Sequence, residues 1–307
     1  MMEPKWTQKQ ERRRAVKIFF LSFGISLAVL LAIVIVVMSS VLEPLGGAEQ
    51  IAEESEPEAA EAGLSYRPDA SMGINFMVIS VRERSDLPHA YTLCRFDPAN
   101  ERFVMVPVPP ETVVTVKAKT ATLQEHYDYA GSANVRLAAE SMLLCDVERY
   151  VRLNRSGTVN LIDALGGLTR YFEQAYETET VSVPAGTHLL NGELLYEIAN
   201  SPPKDTTPET WRLTLIGELL VQSLTAEADD RLDYLMEVFW NNVDTDLSQF
   251  DYTTRRKALT YFLRSETKQI EIFPLSGSWN EDRTEFVPGE AALAELRGIF
   301  SPVAQGE

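Results

Sequence analysis

Residues 74–81 read INFMVISV, eight residues without a charge and with apolar side chains at both even and odd positions. A half-buried strand alternates apolar and polar residues. An apolar stretch on both parities points to a strand covered on both faces. Two strand-like runs follow, AYTLCRFD (90–97) and RFVMVPVP (102–109), joined by the turn-forming Pro98-Ala99-Asn100-Glu101. The first two runs are expected to be central. The third is expected to lose its pairing at Pro107 and Pro109, because proline has no N–H to give a ladder.

Downstream, helical and strand-like patterns alternate. SANVRLAAESMLLCD (132–146) places Val135, Leu137, Ala138, Met142 and Leu143 near one helical face, with Ser132 as a cap. RYVRLN (149–154) is a short strand, and TVNLIDALGG (158–167) is a helix stopped by Gly166-Gly167. ETVSVPAGTHLLNGELLYEIANS (180–201) holds a strand, a turn at Pro184-Ala185-Gly186 and a helix entered at Asn191-Gly192. Thr207-Pro208-Glu209 opens a long helix, with proline in its favoured first turn. Helices are further expected over 227–243, 248–265 and 288–300, with a late strand at 268–277. This alternation, with early strands apolar throughout, predicts a three-layer α/β/α domain around a mixed central sheet.

The N-terminal part has a different character. From Ile18 to Leu42 the chain runs 25 residues without a charge. As a helix this covers about 37 Å, enough to cross a hydrocarbon core of about 30 Å with some tilt. A cleaved leader would have a shorter apolar region ending in small residues, so an uncleaved transmembrane helix is expected. Residues 1–17 carry Lys5, Lys9, Arg12, Arg13, Arg14 and Lys17 against Glu3 and Glu11, whereas the far side has no basic residue before Arg67. The basic side stays in the cytoplasm, which puts the C-terminal part outside. Residues 43–65 hold seven Glu and no Lys or Arg, a composition that cannot bury a core and that extends by self-repulsion. The expected organisation is a cytoplasmic tail (1–17), a membrane helix (18–42), an acidic linker (43–69) and an extracytoplasmic domain (70–307).

The formal net charge is −17. That excludes nucleic acid as a partner, because its affinity is carried by Lys and Arg on phosphates. Cys94 and Cys145 sit in apolar contexts and read as two separate buried thiols, although an oxidising exterior would permit a disulfide. His89, His126 and His188 are far apart and lack metal-ligand spacing; His89 and His188, near loop ends, read as surface residues.

Over about residues 74–245 the order of segments resembles the LytR-CpsA-Psr family of bacterial cell-envelope proteins. NLIDALGGL (160–168) is similar to the family's Leu-Val-Asp-Ala-Leu-Gly-Gly-Val, and VPAGTHLLNGELLYEIA (183–199) to its Gly-x-x-x-Leu-(Asp/Asn)-Gly segment. YDYAGSANVRLAAESMLLCDVERYVRLN (127–154) resembles the family's Tyr- and Gly-containing stretch, helix and short strand. The resemblance implies a membrane-anchored protein of a Gram-positive-type bacterium whose exterior domain holds a polyprenyl-pyrophosphate in an apolar channel. It further implies Mg²⁺-dependent transfer of a glycopolymer from that lipid to peptidoglycan or another wall acceptor, and partners that include the membrane and the lipid-linked glycan.

The site residues implied by the resemblance are Arg82, Arg84 and Arg212 as cations facing phosphate, and Asp86 and Glu111 as Mg²⁺ ligands. Several family positions differ here. VRERSD (81–86) lacks the usual Asp and Arg spacing, and Tyr91 stands at or beside an Asp. Val108-Pro109-Pro110-Glu111-Thr112 replaces Ile-Pro-Arg-Asp-Thr, and IANSPPK (198–204) has no Arg. Phosphoryl transfer depends on cationic charge at the leaving group. Two readings follow: a transferase with an altered site, or a protein that binds the lipid carrier or a partner without turnover. The binding reading expects an apolar channel lined by the sheet and the helix over about 209–225.

Overall fold

Ile74–Val81 forms β1 and lies in the interior of a six-stranded sheet whose strands run, in spatial order, Asp244–Thr245, Arg149–Leu153, Ile74–Val81, Pro88–Asp97, Arg102–Val108 and Gln269–Ile272. The computed structural model describes residues 66–83 and 85–301. The expected membrane helix, cytoplasmic tail and nearly all of the acidic linker lie outside the described residues, as does Arg84. Among the described residues no helix is long and apolar enough to cross a membrane.

After β1 the chain runs β2 (Pro88–Asp97), β3 (Arg102–Val108), the hairpin β4 (Val113–Val116) and β5 (Lys119–Thr122), then α1 (Leu123–Leu143) and β6 (Arg149–Leu153). Next come α2 (Arg155–Leu165), β7 (Leu168–Phe172), β8 (Tyr176–Glu177), β9 (Ser182–Val183), β10 (Gly186–Leu190), α3 (Gly192–Ala199) and α4 (Pro208–Ser223). The last part is α5 (Ala226–Asp230), α6 (Leu232–Asn242), β11 (Asp244–Thr245), α7 (Gln249–Arg264), β12 (Gln269–Ile272), the hairpin β13 (Gly277–Trp279) and β14 (Phe286–Pro288), and α8 (Glu290–Phe300). β2 pairs antiparallel with β1 and β3, while β6 runs parallel to β1 and β12 parallel to β3, so the sheet is mixed.

Both faces of β1 are covered. Met77, Ile79 and Val81 point with Leu93, Val104 and Val106 toward α1 and α8, meeting Val135, Ala138, Leu296 and Phe300. Phe76 and Val78 point with Cys94 and Met105 toward Leu213, Ile216 and Leu220 of α4. Ile74 and Phe96 meet Phe262 of α7. Helices on the two faces give the three expected layers. The central sheet residues Met77, Ile79 and Leu93 are 0% exposed, and burying such a side chain stabilises by about 1.5–3 kcal/mol each.

Four expectations are corrected. Helix α1 begins at Leu123 rather than Ser132, because Thr122 and Glu125 form a reciprocal capping box. It is broken at Ala130 and Gly131, where Gly131 takes φ 69° and ψ −159°, a conformation open essentially to glycine. The buried His126 bridges this region. Its Nε2 lies 3.0 Å from the Val114 carbonyl, and Asn134 donates to the His126 carbonyl at 2.9 Å across the break. The face of α1 also differs: Ala139 is buried and Leu137 exposed. The helix expected over 227–243 is two helices meeting at Arg231. There Asp229 is held by Arg256 at 3.0 Å and Arg264 at 2.8 Å, which pins α5 to α7. Both cysteines are free, as expected, but Cys145 is only half-buried.

Candidate functional site

The register places the ends of several strands together. Val81 pairs with Pro88, Val108 with Tyr91, Leu153 with Ser80 and Ile272 with Met105. The carboxyl ends of β1, β3, β6 and β12 therefore open on one edge of the sheet, beside the start of β2. In open α/β sheets ligands bind outside the carboxyl ends of the strands. The loop after β1 carries Arg82 and Asp86, and the loop after β3 carries Glu111. Both leave the sheet at this edge.

The 82–87 segment is a closed loop. The Arg82 N–H donates to the Leu87 carbonyl, and the Asp86 N–H to the Arg82 carbonyl, each at 2.9 Å. Asp86 adopts φ 55° in the turn. The loop is tied down on two sides. Glu83 accepts from the Ser156 N–H (3.1 Å) and hydroxyl (2.9 Å) at the start of α2, bonds that hold its carboxyl below the usual range. Asp86 accepts from Arg152 at 2.6 Å, and Arg152 also reaches Asp244 at 2.8 Å.

Arg212 enters from the start of the second turn of α4, whose N-terminus is capped by Thr207 and opened by Pro208. Its guanidinium is largely buried. Nε donates to the Pro208 carbonyl at 3.1 Å and Nη2 to Glu209 at 3.3 Å. Nη1 is buried with no partner among the described residues. Burial lowers the Arg212 pKa, and Glu209 and then Tyr196 oppose that shift. His89, at the start of β2, is in the same condition: its Nδ1 is buried without a partner among the described residues. Burial, then the charges of Arg212 and Arg82, push the His89 pKa down to about 4, so the imidazole is neutral at pH 7. The charges of Arg82 and Arg212 thus converge on a neutral imidazole. Buried polar nitrogens are nearly always satisfied in folded proteins. The Arg212 Nη1 is a donor that lacks an acceptor, and with the Arg82 charge close by an anion is the group best able to supply one. The half-buried setting of His89 differs from the surface role its loop position suggests, and His188 is likewise half-buried, its Nε2 without a partner among the described residues.

Other cations near this edge are already neutralised. Arg155 is bonded to Glu193 and to Glu197 at 2.8 Å and lies over the Tyr196 ring at 5.3 Å. The two carboxylates expected at Mg²⁺ are not gathered. Asp86 is taken up by Arg152, and Glu111 contributes its carbonyl, which accepts from the Phe286 N–H at 2.9 Å. Among the described residues no three His, Cys, Asp or Glu side chains are arranged to hold a metal ion. Mg²⁺ needs oxygen ligands in near-octahedral order, and the residues present do not fit it.

A separate apolar cavity of about 250 Å³ lies on the α4 side of the sheet. Ile74, Phe96 and Phe103 line it from the strands, and Leu224, Met236 and Phe239 from above. It lies at the amino end of β1, under the end of α4, with α6 and α7 supplying the rest of the roof. Cys94, Met105 and Leu213 fill the sheet face between the cavity and the polar edge.

Residues 67–201 match the model of the LytR_cpsA_psr family. This matched segment, residues 67–201, is a LytR-CpsA-Psr segment. The matched segment runs from before β1 through α3, so Arg82, Arg84, Asp86 and Glu111 fall within it and Arg212 beyond it. Among curated relatives, the chain is 26% identical over 189 residues to Biofilm regulatory protein A of Streptococcus mutans, covering 58% of this chain and 46% of that protein. It is 23% identical over 188 residues to the polyisoprenyl-teichoic acid–peptidoglycan teichoic acid transferase TagU of Oceanobacillus iheyensis, covering 57% and 59%. The chain thus spans about half the length of the curated relatives it matches. Its fold is similar to that of B. subtilis TagV, with a TM-score of 0.61 at 18% identity over 74% of this chain and 95% of that one. It is also similar to TagT bound to LI-WTA, with a TM-score of 0.58 at 16% identity over 76% and 92%.

The LytR-CpsA-Psr motifs have a physical role here. Gly166 and Gly167, at φ 98° and 73°, end α2, and Asp163 of the same motif accepts from the Gly192 N–H at 2.6 Å. A side chain on Gly192 would meet the Val159 carbonyl at 2.3 Å. DALGG and LNG are therefore the two halves of one α2–α3 junction, which sets α3 and its Tyr196 beside the polar edge.

Proposed function

We propose that this chain is a membrane-anchored protein of cell-wall assembly that holds a polyprenyl-pyrophosphate-linked glycopolymer. In this reading residues 18–42 span the cell membrane, the basic tail stays in the cytoplasm, and the linker over 43–69 stands the domain of 70–307 off the outer surface. The TagU name and the TagT complex supply the ligand class. The observation that carries the reading is the pair of orphaned nitrogens on Arg212 and His89, under the charges of Arg82 and Arg212. The apolar cavity is the candidate seat for part of the isoprenoid tail.

The chemistry available is transferase-like. When the bond to the leaving lipid phosphate breaks, negative charge grows there, and Arg212 has a free Nη1 to donate to it. In the ligand-free chain His89 is neutral at pH 7, so an imidazole that can hydrogen-bond the anion stands beside Arg212. The lack of a carboxylate cluster for Mg²⁺ among the described residues favours a second reading, in which the carrier is bound and presented without turnover.

Both readings are tested by titrating the full-length chain with a polyprenyl pyrophosphate, with and without Mg²⁺, while following release of the lipid phosphate. Binding that Arg212→Ala abolishes supports the site. Cleavage in addition selects the transferase. Equal binding by parent and variant rejects the assignment.

A further inference from the structure

The loop that carries Arg82 is held by a residue from another strand. Arg152 lies on β6, in the interior of the sheet, paired with Ile79 of β1 on one side and with Asp244 of β11 on the other. Its guanidinium serves two carboxylates: Nη1 donates to Asp86 at 2.6 Å and Nε to Asp244 at 2.8 Å. The Arg152 side chain is 23% exposed, against 68% for Asp86 and 56% for Asp244. The Tyr127 hydroxyl adds a bond to the Asp86 carbonyl at 3.3 Å.

An exposed ion pair contributes little to folding, about 0–1 kcal/mol. Folding is not what this pair serves, because the loop is already closed by the backbone bonds of Arg82 and Asp86. Those bonds leave open where the closed loop stands relative to the sheet. Glu83 fixes one side of it on Ser156 of α2, and Asp86 fixes the other on Arg152. A guanidinium carried by an interior strand is a rigid anchor for that second side. Without it Asp86 and Asp244 would stand as like charges and push the loop away from the sheet.

We infer that Arg152 is a positioning residue: through Asp86 it holds the loop so that the Arg82 charge falls on the anion site. The inference rests on the anion site proposed above. It gives Asp86 an influence opposite in sign to that of its own charge. A carboxylate repels a nearby anion, so neutralising Asp86 would by charge alone tighten anion binding. Acting through the loop, the same change weakens it.

The test uses full-length Asp86→Asn. Asparagine matches the shape of aspartate and tolerates the φ of 55° at this position, and Glu83 keeps its bonds to Ser156, so the fold is retained. Affinity for inorganic pyrophosphate, measured by calorimetry at neutral pH, should fall about two- to fivefold. Arg152→Ala should weaken binding as well, and Arg152→Lys, which keeps the charge but not the fork that joins two acids, should lose less. A second readout needs no ligand. The Arg82 charge helps to lower the His89 pKa, so the His89 titration midpoint, followed by NMR, should rise in Asp86→Asn as Arg82 moves away. Loss of a carboxylate alone would leave that midpoint unmoved or lower it. Pyrophosphate affinity that is unchanged or higher in Asp86→Asn, or a His89 midpoint that does not rise, overturns the inference. A raised midpoint in a chain whose parent binds no pyrophosphate keeps the hold of Arg152 on the Arg82 loop and overturns the anion site instead.

Discussion

The α4 face of the sheet has two unlike ends. At the carboxyl end of β1, Arg212 and His89 each hold a buried nitrogen with no partner among the described residues, and two guanidinium charges converge. At the amino end, Ile74, Phe96 and Phe103 line an apolar void. One helix, α4, spans the distance, with Arg212 near its start and Leu224 at its end. Both ends depart from what stability alone would select, since an orphan buried donor costs about 1–3 kcal/mol and a void forfeits packing. A structure that leaves a charge unsatisfied at one end and space unfilled at the other is complementary to an amphiphile with an anionic head. The middle of the same face, packed by Cys94, Met105 and Leu213, shows no such compromise.

The comparison is sharpened by substitutions at each place. The largest effect should come from the sheet centre, where both ends are anchored. Leu93→Ala should lower unfolding free energy by about 2–5 kcal/mol in chemical denaturation, because Leu93 is 0% exposed. At the polar end, Arg212→Ala should weaken pyrophosphate binding on the order of a hundredfold by calorimetry, without comparable destabilisation, since it removes a buried donor that has no internal partner. At the apolar end, Met236→Trp should fill the void and reduce affinity for a long-chain polyprenyl pyrophosphate on the order of tenfold, while sparing inorganic pyrophosphate. Equal losses for both ligands would break the division of labour. The smallest effect concerns pH. The folded His89 pKa near 4 lies below its ordinary 6.5, so between those values the unfolded chain binds the extra proton. Stability should fall as pH drops from about 6.5 toward 4 and stop falling through this group below that. In His89→Gln, thermal melts across the same range should show a shallower slope.

The parts of the fold that were legible are those whose signal is local. INFMVISV carries its double-sided burial in its composition, and Asn191-Gly192 and Thr207-Pro208 announce the starts of α3 and α4. The first half of α1 was missed because LQEHYDYA has no apolar face, although Thr122 and Glu125 held a capping box in plain view. The break at Arg231 has no local signature; it follows from Asp229 being drawn to Arg256 and Arg264 on α7. At the site, the resemblance pointed to Arg82 and Arg212. His89 was passed over because nothing in its neighbourhood reveals burial by a helix that begins more than a hundred residues later.

The central claim, that the polar edge is built for an anion, is tested most directly by following the His89 imidazole in the full-length chain by NMR across pH, before and after adding pyrophosphate. The account predicts that the pKa near 4 rises toward its ordinary value once the anion offsets Arg82 and Arg212, and that Arg212→Ala removes the anion's effect. An imidazole whose titration is unmoved by saturating pyrophosphate would contradict it.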